Sequence, residues 1–158
     1  NAFKFQTNKR VYFEVRLACT EANTNDASWC AGLCSVKAAN TIVDGGLTLV
    51  TTFDGAMFQK IKDALTVNFM TSNGATQETP AAAKTVVSGT FYTFAFLYDY
   101  NDGVTASVTP YVDGVAGTAQ DITISGLDAT LYAVLGIKAG GANAETLKVD
   151  YVHVIQER

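Results

Sequence analysis

Residues 11–20 read VYFEVRLACT. Apolar side chains at every second position of this stretch alternate with polar or less apolar ones, and this period of two is typical of a β-strand with one face on a core. The next apolar stretch, residues 29–36, reads WCAGLCSV and is apolar on both faces. Such a stretch predicts a central strand that is covered on both sides. Together the two stretches predict a layered β-protein.

Further strands are predicted along the rest of the chain, at residues 47–53, 56–61, 65–71, 91–98, 104–112, 122–124, 131–138 and 146–155. A helix over residues 55–65 is the alternative for one of these regions, because Met57, Ile61 and Leu65 repeat every four residues. The neighbouring Phe58 and the alternation of apolar residues from Leu65 onward favour strands instead.

Turn and loop residues separate the predicted strands. Asp-Gly pairs stand at 44–45, 54–55, 102–103 and 113–114, and each can supply the positive φ of a tight reversal. Residues 38–46 are predicted as a connecting loop, and residues 77–84, with Pro80 and three alanines, as a mobile surface loop. About ten to twelve strands separated in this way predict an all-β, two-sheet antiparallel jelly-roll sandwich in one domain, residues 1–158.

Composition narrows the classes of function. The 158 residues are 48% hydrophobic and 16% charged, with a formal net charge of −4, which argues against intrinsic disorder and against binding to a phosphate backbone. The basic residues are scattered, and Lys9-Arg10 and Lys60 with Lys62 are the nearest approach to clusters. Because no apolar run approaches the length that spans a bilayer, we expect a soluble chain that binds neither membrane nor nucleic acid.

The three cysteines are predicted to be reduced. Cys30 and Cys34 lie four residues apart on one predicted strand, which places them about 13 Å apart and beyond the reach of a disulfide. Together with Cys19 they form an odd number of thiols. Free thiols favour synthesis in a cytosol.

Two motifs could carry nucleophilic or metal chemistry, and both are weak. His153 is the only histidine. It could serve as a base for a thiol or as a metal ligand. Because neither a G-x-S-x-G nor a Cys-x-x-Cys motif accompanies it, a polar or interface position on a strand is favoured. Residues 99–103 resemble the opening of a calcium loop, yet the fifth and twelfth ligand positions would fall on Gly103 and Pro110. A hairpin turn is therefore favoured there, with calcium at an irregular Asp/Asn loop as the alternative.

Carboxylates and aromatic residues offer few sites either. The glutamates are Glu14, Glu21, Glu78, Glu145 and Glu157, and none stands two or three residues from another on one strand, as a glycosidase pair on one strand would. Glu14 and Arg16 share a strand face and are predicted to form an ion-paired surface or interface element. Trp29 is predicted to pack in the core or at a sheet edge, with stacking on a ligand and a subunit contact as alternatives. The tyrosines at 98, 100, 111, 132 and 151 are of a type that protein interfaces favour.

The closing residues 147–156, LKVDYVHVIQ, resemble the Val-Asp-Tyr-Val-x-Val strand that ends laminarinase-type glucanases and their non-catalytic relatives, which have the concanavalin-A-like jelly roll. A second pattern is made up of residues 11–17, Trp29 with 31–33, 54–60, 111–115, 149–152 and 156–158. With these segments the chain resembles, more narrowly, small structural proteins of tailed bacteriophages.

These resemblances imply a fold and a role but no reaction. The Glu-x-Asp-x-x-Glu strand of the glucanases and the Asp-x-aromatic-x-Asn pattern that holds the metals of legume-type lectins have no match here. A hydrolase acting through Glu14 or Asp150 is therefore disfavoured, and we predict no enzymatic activity, no catalytic, cofactor-binding or metal-binding residues and no cofactor.

The phage resemblance implies a virion protein. The predicted role is a capsid cement or decoration protein, made in the host cytoplasm, that binds the major capsid protein on the outer capsid surface. We expect a homo-oligomer, a trimer, joined through exposed apolar surface at the outward face of the 91–112 hairpin and the 77–84 segment. The alternative is a carbohydrate-binding, lectin-like module of a phage tail or of a secreted protein.

Overall fold

The computed structural model describes residues 2–22, 25–37, 41–43, 48–74, 76–100, 105–123 and 129–158. Eleven strands and no α-helix lie within these ranges. In chain order they are β1 (Val11–Thr20), β2 (Ala27–Cys34), β3 (Asp54–Lys60), β4 (Thr66–Asn73), β5 (Ala81–Thr85), β6 (Tyr92–Tyr100), β7 (Thr105–Val112), β8 (Val115–Ala116), β9 (Gln120–Thr123), β10 (Tyr132–Ala139) and β11 (Thr146–Gln156).

The strands form two antiparallel sheets. The six-stranded sheet has the order β11-β1-β6-β7-β8, with β9 paired to β7, and the five-stranded sheet has the order β10-β2-β3-β4-β5. The predicted all-β, two-sheet sandwich is confirmed. β1 is central to the larger sheet, between β11 and β6, which explains its one fully buried face.

The main core lies between the sheets and is rich in aromatic residues. The indole of Trp29 is 1% exposed and meets the ring of Phe94 edge-on, with centroids 5.4 Å apart. Phe58 and Phe69 extend this contact across β3 and β4. Core packing of Trp29 is thus confirmed, and a ligand cannot stack on a ring that is already enclosed.

A second apolar cluster covers the opposite face of the five-stranded sheet. Ile42, Leu49 and Phe53 pack there on side chains of β2, β3 and β4, among them Cys30 and Met57. Every residue of β2 is consequently buried, which confirms the predicted coverage of this strand on both faces. The chain itself therefore occupies the outer face of this sheet.

Two sequence-based expectations are wrong in this region. Residues 48–53 form no strand and contribute only an isolated bridge between Ile42 and Leu49, because they act as a cover over a sheet. The segment 77–84 includes the start of β5, which pairs with β4 as an edge strand. The favoured strand prediction for residues 56–61 is confirmed over the helical alternative for residues 55–65, because β3 is paired on both sides.

Asp-Gly pairs behave in two ways. Asp113 and Gly114 have φ values of 51° and 80° and form the tight turn between β7 and β8, as predicted. Asp54-Gly55 was also expected to be a turn, but both residues belong to β3. The pairs at 44–45 and 102–103 lie outside the described residues.

Gly55 is required by close strand packing. A Cβ at this position would lie 2.0 Å from the carbonyl oxygen of Leu33, and the φ of Gly55 is 136°. We expect Gly55→Ala to lower the free energy of unfolding by about 2–4 kcal/mol, because backbone atoms of β2 must move and the positive φ adds its own cost. Gly114→Ala has open space around the added methyl, and its positive φ alone should cost about 1 kcal/mol. Urea denaturation compares the two variants, and an equal loss in both would contradict the packing argument.

All three cysteines are free and buried, as predicted. Burial raises the pKa of the Cys19 and Cys30 thiols to about 12 and that of Cys34 to about 11. Among the described residues, the structure contains no helix of the length and hydrophobicity needed to cross a membrane.

Candidate functional site

The outer face of the six-stranded sheet carries an organised group of polar and aromatic side chains. Tyr12, Glu14 and Arg16 project from β1 on the side opposite the core, as the alternation of buried and half-buried residues requires. The antiparallel register places Tyr151 beside Arg16 and His153 beside Glu14 on β11. We call the surface formed by Tyr12, Glu14, Arg16, Tyr151 and the nearby Tyr111 the Glu14 face.

Glu14 is the centre of this surface. Its carboxylate accepts a hydrogen bond from the Tyr151 hydroxyl at 2.8 Å and a short one from the Tyr12 hydroxyl. Burial, and then the bond to Glu14, raise the pKa of Tyr12 well above its usual value. The bond to Glu14 is also the main cause of a raised pKa at Tyr151. The two phenols therefore hold the carboxylate in one orientation.

Arg16 is held by different partners. Its guanidinium forms an ion pair with Asp150 at 2.5 Å and lies over the ring of Phe91, 4.6 Å from the centroid. The expectation of an ion-paired element on β1 is thus met at Arg16, but with Asp150 as the acid. Glu14 is bound by phenols instead, because the register brings Tyr151 within its reach.

A small cavity opens on the Glu14 face. It has a volume of about 140 Å³ and is lined by Tyr12, Glu14, Thr93, Ala95, Tyr111 and Gly114. Two aromatic rings, a hydroxyl and a carboxylate border this space. Such a mixture can stack against a flat apolar surface and accept hydrogen bonds from hydroxyl or amide groups.

The bonds to Glu14 can be tested by titrating the phenols. In Glu14→Gln the carboxylate acceptor is lost, so we expect the pKa values of Tyr12 and Tyr151 to fall toward the ordinary value for tyrosine, with that of Tyr12 staying above it because its burial remains. Ultraviolet absorbance of the phenolate measures this directly. Tyr98, whose pKa is raised to about 12 chiefly by burial, should titrate alike in both proteins. Unchanged titration of all the tyrosines would contradict the proposed bonds.

The structure separates His153 from the thiols. Its ring lies on the exposed outer side of β11, 4.9 Å from the ring of Tyr151, whereas Cys19, Cys30 and Cys34 are buried. The favoured prediction, a polar position on a strand, agrees with this placement. Among the described residues, no group of three or more His, Cys, Asp or Glu side chains is placed to hold a metal ion.

The calcium-like segment is only partly visible. Asp99 lies in β6 and forms an ion pair with Arg10 at 2.9 Å, while residues 101–104 lie outside the described part of the chain.

The remaining tyrosines that the sequence indicated as interface residues lie in different places. Tyr98 is buried and its hydroxyl donates to the carbonyl oxygen of Gln6 at 3.1 Å. Tyr132 lies under the ammonium group of Lys37, and Tyr100 stands at the end of β6.

A buried ion pair lies at one end of the core. The Lys60 ammonium group is 2.7 Å from Glu21, and the two side chains are 1% and 6% exposed. Lys60 also donates to the carbonyl oxygen of Ala27 at 2.7 Å. No local pattern predicts this burial, since the sequence indicates only a weak basic cluster of Lys60 with Lys62. Glu21, whose carboxylate compensates the buried charge of Lys60, lies far from it in the sequence.

Sequence reasoning placed part of the Glu14 face and missed the rest. The alternation in β1 predicts that Glu14 and Arg16 lie on one face of the strand, and it places Tyr12 on that same face. Tyr151 was noted as a tyrosine of an interface type, but its bond to Glu14 joins residues 137 positions apart. No local pattern reports which strand pairs with β1, so Tyr111 and Tyr151 could not be assigned to the site.

Comparisons with known proteins bear on the fold. No family model matches the chain, and no curated protein matches it. Among solved structures, it is similar to the metal-free carbohydrate recognition domain of Emp46p, with a TM-score of 0.66, 10% identity and coverage of 96% of this chain and 73% of that one. It is also similar to sheep galectin-11 in complex with glycerol, with a TM-score of 0.56, 9% identity and coverage of 98% of this chain and 95% of that one.

An enzyme shares the architecture as well. The alginate lyase AlyC3 matches with a TM-score of 0.61 and 9% identity over 98% of this chain and 67% of its own. The predicted concanavalin-A-like jelly roll is therefore confirmed. Identities this low establish the fold alone, because the same sandwich carries lectins and lyases.

Proposed function

We propose that this chain is a non-enzymatic structural protein of a tailed-phage virion, which binds the major capsid protein lattice on the outer capsid surface through the Glu14 face. One observation carries the proposal: the two sheets differ in what covers them. The chain's own residues Ile42, Leu49 and Phe53 pack over the five-stranded sheet, whereas Tyr12, Glu14, Arg16 and their neighbours stay partly exposed.

The chemistry of the Glu14 face suits a protein partner. Tyrosine and arginine dominate the energetic centres of protein interfaces, where large contact area is gained with little loss of side-chain freedom. Here the phenols are already held by Glu14 and the guanidinium by Asp150 and Phe91. Binding would therefore cost little side-chain entropy, because these side chains are already held in place in the free protein.

The test is co-sedimentation with shells assembled from the major capsid protein alone. We expect the chain to pellet with the shells and to raise the temperature at which they break, and Arg16→Glu to weaken binding by about tenfold or more by removing a desolvated cation from the interface. Val43→Ser, an exposed change on the covered side of the sandwich, should bind normally. Binding that is absent, or equally strong in Arg16→Glu, would overturn the assignment.

The trimer expected from the sequence belongs to the same proposal. Val87, Phe91 and Val115 are exposed apolar side chains near or within the hairpin region, and they would be covered in an oligomer. Light scattering after size-exclusion chromatography decides this point. A monomer at micromolar concentration would remove the trimer from the proposal and leave the binding face untouched.

A carbohydrate-binding module is the second candidate, and the 140 Å³ cavity favours it. Its tyrosines can stack on a sugar ring, and Glu14 can accept bonds from sugar hydroxyls. The fold that the chain shares with sheep galectin-11 and with the carbohydrate recognition domain of Emp46p supports the same candidate.

A glycan array separates the two candidates. A carbohydrate module should bind a defined set of glycans, and Tyr111→Ala should abolish that binding while Val43→Ser leaves it unchanged. Trp29→Ala is unsuitable as a probe, because that indole belongs to the core. Shell binding without any glycan binding would exclude this second candidate.

A further inference from the structure

A small cavity lies at the end of the main core where Lys60 and Glu21 form their buried ion pair. Both members of the pair line this cavity, together with the side chain of Trp29. Residues 86–88 line it as well, and the last two of them are exposed to solvent. The cavity therefore joins the ion pair and the single indole of the chain, with a surface segment as its outer wall.

Hydrogen bonds to the end of β1 hold this outer wall in place. The hydroxyl of Ser88 accepts a bond from the backbone N–H of Glu21 at 3.0 Å. The backbone N–H of Gly89 donates to the carbonyl oxygen of Cys19 at 2.7 Å. A molecule bound behind this segment should therefore exchange slowly with solvent, because these bonds must open before it can leave.

Trp29 has a buried donor that needs an acceptor. Its side chain is 1% exposed, and no partner for its Nε1 is found within the described part of the chain. An indole N–H can only donate, and buried donors without an acceptor are rare because they have lost their bonds to water. An acceptor inside the cavity that Trp29 lines would satisfy this donor.

The ion pair supplies two further bonding positions. Trp29 and Lys60 stand directly opposite each other on β2 and β3, so their side chains are neighbours on one face of the sheet. The Lys60 ammonium group donates to Glu21 and to the carbonyl oxygen of Ala27, both at 2.7 Å, which leaves its third N–H for another acceptor. The Glu21 carboxylate has about four acceptor positions, and Lys60 and the amide of Ala27 use two of them.

Size and charge restrict the ligand to one water molecule. The centre of a water molecule can occupy about 10 Å³ in this cavity, and an internal water site needs about 10–15 Å³ on the same measure. A sugar or a peptide side chain does not fit. An ion is disfavoured as well, because the charges of Lys60 and Glu21 already balance and an added ion would be buried without a counter-charge.

We propose that this cavity binds a single internal water molecule, which accepts hydrogen bonds from the Trp29 Nε1–H and the Lys60 ammonium group and donates one to the Glu21 carboxylate. Three bonds are typical of an internal water. The water links the indole to the ion pair, so that the donor of Trp29 and the two charges share one hydrogen-bonded network. This inference does not depend on the proposed function.

Solution NMR tests the site in the intact protein. Trp29 is the only tryptophan, so its indole N–H gives one resonance that is identified by its type alone. We expect a nuclear Overhauser cross-peak between this N–H and water. The cross-peak should have the sign of those within the protein, because a water held behind residues 86–88 moves with the molecule.

Variants that fill the cavity show whether the signal comes from it. Val86→Ile and Cys19→Val each enlarge a side chain of the lining and should displace the water. The cross-peak should then disappear, and the number of long-lived waters measured by oxygen-17 relaxation should fall by one. Val112→Ile is the matched control, since Val112 is buried in the main core to the same extent as Val86 but lies outside the cavity lining. It should change neither measurement.

Loss of the cross-peak and of one long-lived water in a filling variant, with both retained in Val112→Ile, supports the proposal. A parent protein whose indole shows no cross-peak with water overturns it, as does a cross-peak that persists in both filling variants. A cross-peak that disappears while the number of long-lived waters stays the same would come from exchanging hydroxyl or ammonium protons, which also refutes the site. Equal losses in Val112→Ile would show that the water is bound elsewhere.

Discussion

Lys60→Met is expected to lower the free energy of unfolding by about 3–5 kcal/mol, the usual cost of removing one partner from a buried ion pair. The substitution keeps the length of the side chain but leaves the carboxylate of Glu21, which is 6% exposed, without its cation. It also removes the donor to the carbonyl oxygen of Ala27. Urea denaturation of the variant and the parent protein measures the difference.

Two further variants control for the size of this effect. Lys62→Met removes a cation whose side chain is 36% exposed, which lies 3.5 Å from Asp26 and donates to the carbonyl oxygen of Gly140 at 2.8 Å, so a smaller loss of about 1–2 kcal/mol is expected. The double variant Lys60→Met with Glu21→Leu removes both charges and should recover much of the lost stability. A loss in Lys60→Met no larger than that in Lys62→Met would contradict the assignment of a buried pair.

Alkaline pH is expected to destabilise the fold through the three buried thiols. Their pKa values are raised by burial to about 12 for Cys19, about 12 for Cys30 and about 11 for Cys34. Above pH 9 the unfolded chain loses thiol protons that the folded chain retains, so stability falls as pH rises. The loss per thiol approaches 1.4 kcal/mol per pH unit only above pH 9, so each thiol loses about 1.4 kcal/mol over the whole interval from pH 8 to pH 10, and the three together lose about 4 kcal/mol.

Denaturation with urea in the presence of a reductant, at several pH values, provides the measurement. Replacing all three cysteines by alanine should remove most of the dependence between pH 8 and pH 10 and leave a smaller fall near pH 10 from Tyr12, Tyr98 and Tyr151, whose pKa values are also raised. Thiolate absorbance of the native protein gives an independent reading and should be low at pH 10. A native protein whose thiols ionise near pH 9 would refute the prediction.

Local patterns were sufficient for most of the strands. The alternation of residues 11–20 and the double-sided hydrophobicity of residues 29–36 predicted β1 and the burial of β2, because burial acts on side chains within a single strand. Residues 48–53 were mistaken for a strand because an apolar segment that covers a sheet has the same composition as one that belongs to it. β5 was missed because alanine and lysine have little strand preference, and its pairing with β4 decides its conformation.

The candidate site was less predictable than the fold. Glu14 and Arg16 were recognised together, yet the sequence could not show that Tyr151 and Asp150 would be their partners. Those contacts follow from the pairing of β1 with β11. The alternation of residues within each strand does not depend on this pairing, so it could not reveal the contacts. The burial of Lys60 was unforeseen for the same reason.

The position of β1 between β11 and β6 has a consequence for how the chain folds. Val11 pairs with both Gln156 and Tyr98, so the larger sheet cannot close until β11 has been synthesised. β2, β3, β4 and β5 pair in chain order and can assemble while the ribosome is still making the rest. Because long-range pairing carries a large loop-closure entropy, closure of β1 with β11 should be the slow kinetic phase of refolding.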